Sequence, residues 1–150
     1  PASQNPPPAH RVEIPVCYDE EFGPDLAECC NRSGLSRDTF IHRHTNAAYC
    51  VAFLGFSPGF AYLHGLPREL AIPRLDAPRT RVPAGSVAIG GAQTGVYPSA
   101  TPGGWRIIGR TPLRLFDTQR EPPALLDIGH EVRFREISRT EFDRSAESDA

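Results

Sequence analysis

The sequence predicts a mainly β protein: a closed or nearly closed β-barrel with two short helices acting as plugs. Three observations point there. The 150 residues include 13 glycines and 16 prolines, and a proline inside a helix costs about 3 kcal/mol, which disfavours a helical bundle. Short apolar runs alternate with a period of two and are cut by turn words such as Ser57-Pro58-Gly59, Pro83-Ala84-Gly85 and Pro102-Gly103-Gly104. With 39% hydrophobic and 23% charged residues, the chain has the profile of one globular domain built on one core. It contains no apolar run near the roughly 18 residues of a membrane span, and no secretory h-region.

Each element has a local reason. Residues 1–9, PASQNPPPA, read as an extended, mobile leader. From His10 to Val16, the alternation of Val12, Ile14 and Val16 predicts a first strand. Pro24 and Asp25 open a short helix through Leu26, Cys29 and Cys30 that stops at Gly34. Ser36 caps a second helix, with Asp38 in its first turn and Phe40 and Ile41 facing inward. Strand character returns over Ala47–Leu54, then in fragments at Ser86–Ile89, Val96–Tyr97, Trp105–Ile108 and Leu113–Phe116. The turn Asp127–His130 leads into a strand over Glu131–Ile137, in which Val132 and Phe134 share a face. Ser138 and Glu141 have capping-box spacing for a brief last helix, with a tail that frays from Ser145. The domain proper therefore spans residues 10–137, followed by a short helix and tail over 138–150.

Charge and composition narrow the chemistry. Sixteen arginines and no lysine exclude a phosphate-loop lysine, a Schiff base and a biotin attachment site on these residues. The net charge is −2, but residues 40–116 hold eight arginines against only Glu69 and Asp76, along with nine of the thirteen aromatic residues. A basic, aromatic middle suits an anionic small molecule or an acidic partner surface, or else arginine stems covering apolar walls. Nucleic-acid binding is not expected, because the whole chain is acidic and shows no recognition helix. Cys17, Cys29, Cys30 and Cys50 lack zinc-type spacing and read as reduced thiols in a cytoplasmic protein. Methionine is absent, so we expect a processed chain or a piece of a longer one.

Four constellations invite chemistry. Gly55-Phe56-Ser57-Pro58-Gly59 matches the nucleophile-elbow pattern, but Pro58 lacks the N–H that would build the oxyanion hole, so a serine hydrolase is not expected. The alternative is a rigid apolar loop whose Phe56, Phe60 and Tyr62 wall a pocket, or plain core packing. His42 and His44, two apart on a helix, point to different faces, so no metal site is predicted. Gly90-Gly91-Ala92-Gln93-Thr94-Gly95 reads either as an anion-binding nest or as a tight hairpin. Arg74, Arg79, Arg81, Arg106, Arg110 and Arg114 supply forked donors. Alternation around Trp105, Ile107 and Ile108 sends some of these outward into solvent.

A set of longer words resembles one family. These are His44-Thr45, Tyr49, Gly55 to Leu63, Gly65-Leu66-Pro67, Pro73-Arg74, Pro78-Arg79, Val82 to Val87, Gly90, Gln93 to Pro98, Pro102 to Trp105 and Gly109 to Pro112. In this order they closely resemble the KipI family, also called allophanate hydrolase subunit 1, whose bacterial members include the PxpB component of 5-oxoprolinase. The likeness covers roughly residues 10–137. It implies a cyclophilin-like β-barrel that pairs with a related barrel, the KipA-like (PxpC) subunit. With a LamB/YcsF-like (PxpA) subunit, the set opens the lactam of 5-oxoproline to glutamate using ATP. The family also implies two alternatives: a carboxyltransferase component of the allophanate hydrolase or urea carboxylase type, and a histidine kinase inhibitor. Family members carry a smaller α+β domain ahead of the segment matching His10 onward, and here only a short leader stands there.

On this resemblance we expect a non-autonomous subunit acting on a small amide. The expected catalytic residues are His44, Arg79 and Gln93, with His44 as the neutral-pH proton carrier. Phe56, Tyr62, Arg74, Thr94, Tyr97 and Arg110 are expected to bind substrate. ATP is the expected cosubstrate, shared with the partner subunits.

Overall fold

The computed structural model describes residues 10–148, and the expected leader at 1–9 lies outside them. Nine strands and three helices follow in order: β1 (Arg11–Val16), α1 (Leu26–Ser33), α2 (Arg37–Asn46), β2 (Tyr49–Leu54), β3 (Ala61–His64), β4 (Arg79–Val82), β5 (Ser86–Gly90), β6 (Gln93–Val96), β7 (Thr101–Gly103), β8 (Arg106–Arg110), β9 (Glu131–Glu136) and α3 (Arg139–Ser148). A 3₁₀ turn, Arg68–Leu70, precedes β4.

Seven strands form one sheet in the order β1-β9-β2-β3-β6-β5-β8. Its two ends meet at one point, where Cys17 and Arg110 exchange both backbone hydrogen bonds, at 2.9 and 3.0 Å. That exchange makes the sheet a nearly closed barrel and relieves the exposed edges that an open sheet of this size would present. The rest of the β8 edge is capped by the segment leading into α1. There the Asp25 N–H donates to the Ile107 carbonyl (3.0 Å) and the Ile107 N–H donates to the Asp25 carboxylate (2.7 Å).

Inward-facing residues of β1, β2, β3, β5 and β9, such as Ile14, Val51, Leu63, Ile89 and Val132, form the main core together with Phe40 and Ile41 of α2. The helices plug the barrel as their spacing predicts. Gly34 ends α1 in the left-handed conformation (φ 74°), and its N–H reaches the Cys30 carbonyl. The Ser36 hydroxyl accepts the Thr39 N–H at 3.1 Å to start α2. A second apolar cluster, Phe60, Val82, Ala88, Tyr97, Trp105 and Ile107, lies on the outer face of the sheet. The β4–β7 ribbon supplies Val82 to it and lies over that face. Strand β5 is consequently buried on both faces.

The structure differs from the sequence reading at identifiable places. Strands β3, β4 and β7 are short and lack clean alternation, so periodicity missed them. The strand expected at Val96–Tyr97 begins earlier, at Gln93. Leu113–Phe116 makes only an isolated bridge, Phe116 to Ala124. Helix α3 continues to Ser148 where fraying was expected from Ser145. Of the arginines beside Trp105, Ile107 and Ile108, some of which alternation was expected to send into solvent, Arg106 is buried and donates its Nε–H to the Pro73 carbonyl (2.9 Å), and Arg110 is half-buried.

Candidate functional site

The β2–β3 connection builds the most site-like feature. Within Gly55–Phe60, the Ser57 N–H donates to the Gly55 carbonyl (2.7 Å), closing a three-residue turn around Phe56. Phe56 has φ 69°, the one positive φ among the described non-glycine residues. Holding a bulky side chain there costs on the order of 1–3 kcal/mol, and the loop tolerates that strain in presenting the Phe56 ring, which is 59% exposed. A bulge at Ala52 sets Phe53 opposite Tyr62, and their rings stack at 4.3 Å and 15°. The chain then runs on into β3 rather than a helix, and the Ser57 hydroxyl makes no hydrogen bond. Both facts agree with setting the hydrolase reading aside.

Phe56, Phe60, Tyr62, Arg74, Tyr97, Gly103, Gly104 and Trp105 enclose a small pocket of about 100 Å³. Phe60 lies edge-on to Tyr97 (5.3 Å) and to Trp105 (5.5 Å), which fixes the walls geometrically. A side chain at Gly103 would strike the Tyr97 ring, with its Cβ 2.4 Å from the hydroxyl oxygen, so glycine is what lets Tyr97 lie flat against β7. Burial raises the Tyr97 pKa, partly offset by the Trp105 backbone N–H at its hydroxyl and by the Arg74 and Arg79 charges. At neutral pH it is therefore a neutral phenol. Arg74 is exposed at the rim. The pocket can thus take a small, partly apolar group against its aromatic walls and meet an anionic substituent with a guanidinium.

Of the predicted site residues, Phe56, Tyr62, Arg74 and Tyr97 come together in this pocket, while the others lie elsewhere. His44 and Thr94 sit inside the barrel, both with 0% exposure. The Thr94 hydroxyl donates to the Ala88 carbonyl (2.7 Å), so its oxygen accepts from His44 Nε2–H (3.1 Å). His44 Nδ1 is then left to accept from the Tyr18 hydroxyl (2.7 Å). This chain of donors assigns one neutral tautomer. Burial pulls the His44 pKa down to about 3. Its ring stacks on Phe134 at 4.6 Å, and its carbonyl accepts from Tyr49 (2.7 Å). The expected proton carrier is thus placed away from any cleft, as a satisfied core histidine tying α2 to β6. His42, two residues away, is exposed, as helical spacing requires.

Gln93 is half-buried at the end of a tight hairpin whose turn is Gly91-Ala92. The Gly91 N–H donates to the Ile72 carbonyl (2.9 Å) in an isolated bridge to the segment after the 3₁₀ turn, which claims a donor that an anion nest would have used. Arg79 is held by a fork–fork pair with Asp25, at 2.7 and 2.8 Å, and this raises its pKa. Asp25, 7% exposed, is a functional-looking residue the sequence did not single out. Its only local signal was its place before a helix, and its partners Arg79 and Ile107 are distant in sequence. Arg110 lies with Arg79 in a separate cleft, where its guanidinium stands 4.5 Å over the Phe22 ring and burial lowers its pKa.

Comparison with known proteins places this geometry in a family. The carboxyltransferase domain, subdomain C and D, matches residues 1–126. The B subunit of 5-oxoprolinase from Bacillus subtilis is 53% identical over 131 residues, covering 87% of this chain and 55% of the relative, so the chain spans little more than half that relative's length. A conserved uncharacterized protein from Pyrococcus horikoshii superposes with a TM-score of 0.85 at 52% identity, over 88% of this chain and 61% of that one. Urea amidolyase of K. lactis, at 18% identity and a TM-score of 0.73 over 93% of this chain and 10% of its own, shares the fold. Barrel, loop words and relatives agree: the chain belongs to the carboxyltransferase-domain family, subdomain C and D, the group that takes in the B subunit of 5-oxoprolinase.

Proposed function

We propose that this chain is part of an ATP-dependent 5-oxoprolinase, the system that converts 5-oxoproline, ATP and water to glutamate, ADP and phosphate. The observation that carries the reading is the aromatic pocket with Arg74 at its rim. A five-membered lactam is small and flat enough to lie against the aromatic wall made by Phe56, Tyr62 and Tyr97, and its carboxylate suits a guanidinium. Tyr97, kept neutral by burial, offers its hydroxyl to the lactam oxygen or nitrogen. The pocket is small, and Phe53, Leu54 and Phe56 stand 42–59% exposed at or beside it. An apolar rim of this kind suits closure by a second protein, here a KipA-like barrel, with a LamB/YcsF-like subunit completing the enzyme. The curated relatives, named as the B subunit of 5-oxoprolinase, support the substrate choice. The carboxyltransferase family name is compatible with a carboxyl-transfer component, which remains the alternative.

Reconstitution tests the reading. This chain, mixed with KipA-like and LamB/YcsF-like subunits, should release ADP only when 5-oxoproline is present. Arg74→Ala should lower that turnover by at least about tenfold, the loss expected for one charge-assisted contact. Equal turnover by the variant complex would remove Arg74 from the site, and ADP release indifferent to 5-oxoproline would overturn the substrate.

A further inference from the structure

Further along the same outer face of β5 and β8, beyond the aromatic pocket, lies a cleft of about 220 Å³ whose lining includes Arg79, Arg81, Ser86 and Arg110. Ser86 and Arg110 are directly opposed across the β5–β8 ladder, and opposed residues project from the same face of a sheet. Ile108 is bulged out of that ladder, between the pairs Val87–Gly109 and Ala88–Ile107. The bulge puts Ile107 and Arg110 on one face although they are three residues apart. Both polar groups of this opposed pair lack protein partners: the Ser86 hydroxyl, in a residue with 0% exposure, and Arg110 Nε are buried without a hydrogen bond. Leaving such groups unsatisfied in a folded interior is unfavourable, so a ligand that pairs them gains from doing so.

The charges around the cleft sort into neutralised and free. Arg79 is neutralised by Asp25. Glu21, the carboxylate in the lining, is engaged by Arg139 at 2.7 Å. Arg81 is exposed at the mouth, and Arg110 stands over the Phe22 ring, with the charges of Glu21 and Arg139 acting on it from further off. Two guanidiniums from different strands and one hydroxyl therefore line the cleft with no direct carboxylate partner, the nearby Glu21 being paired to Arg139. A planar carboxylate takes its donors largely in one plane, as Asp25 beside the cleft takes the Arg79 fork and the Ile107 N–H. Donors arriving from β4, β5 and β8 instead match the several oxygens of a tetrahedral ion.

We infer that this cleft is a binding site for a phosphate group, held by Arg81 and Arg110 with the Ser86 hydroxyl at its floor. The site is separate from the aromatic pocket and does not depend on the 5-oxoprolinase reading. The test uses the chain alone, with inorganic phosphate as the probe against chloride and acetate at matched ionic strength. Thermal unfolding and titration calorimetry give the readouts. Phosphate should bind saturably and raise the unfolding temperature, and acetate should bind at least about tenfold more weakly. Arg81→Gln should weaken phosphate about tenfold. Ser86→Ala should also weaken it, while leaving the phosphate-free unfolding temperature unchanged or higher, since it deletes an unpaired buried hydroxyl. No saturable response, acetate binding as tight as phosphate, or an undiminished response in both variants would each overturn the inference. Because no partner or turnover enters the test, its result is independent of whether the reconstituted complex works.

Discussion

Protonation of His44 should be a measurable cost of folding. In the unfolded chain its imidazole takes up a proton near the ordinary value of about 6.5. Folded, it is wholly buried between Tyr18 and Thr94, and its pKa falls to about 3. Between those two values the unfolded state binds more protons, so stability is full above about pH 6.5 and drains away as pH falls towards about 3. The slope approaches about 1.4 kcal/mol per pH unit, which integrates to a loss of about 2 kcal/mol between about pH 7 and pH 5. Urea unfolding at these two pH values, on the natural chain and on His44→Gln, isolates the contribution. The glutamine amide can donate to Thr94 and accept from Tyr18 without titrating. The natural chain should lose about 2 kcal/mol more than the variant. Long-range proton–nitrogen NMR should show one imidazole keeping a neutral Nε2–H pattern across the same range. A His44 ring that titrates near pH 6.5 in the folded protein, or equal losses in the two chains, would refute the reasoning.

Other consequences are equally direct. Asp25→Ala strands the Arg79 guanidinium and the Ile107 N–H and should cost about 3–5 kcal/mol in denaturant unfolding; Glu28→Ala, which breaks an exposed pair with Arg32, should cost under about 1 kcal/mol. Gly90→Ala places a Cβ 2.3 Å from the Trp105 indole, so a loss of about 1–3 kcal/mol is expected, with a shift in the emission of the single tryptophan. Under brief alkylation read by mass spectrometry, exposed Cys50 should label first. Cys29, buried with its thiol pKa pushed up to about 12, should label only when urea unfolds the chain.

Local signals were legible in the residues themselves. Gly34 and Ser36 punctuate the two helices because a left-handed C-cap and a hydroxyl N-cap are properties of single residues and their immediate neighbours. Alternation located β1 and β9, and the Gly55–Phe60 words located the loop that carries Phe56 and walls the pocket. The absence of lysine limited the chemistry before any fold was known. Pairing across the chain was not legible. Arg79 reads in sequence as a free fork, yet it meets Asp25 across 54 positions. His44 reads as a proton carrier, yet α2 inserts it into the barrel against Thr94, fifty residues away. Arg110 and Ser86 acquire a common face only through a bulge and a strand register. The charge, hydrogen-bonding capacity and turn preference of a residue travel with it along the chain. Burial and partner do not, because they are set by closing the sheet, and that closure joins segments that sequence spacing keeps apart.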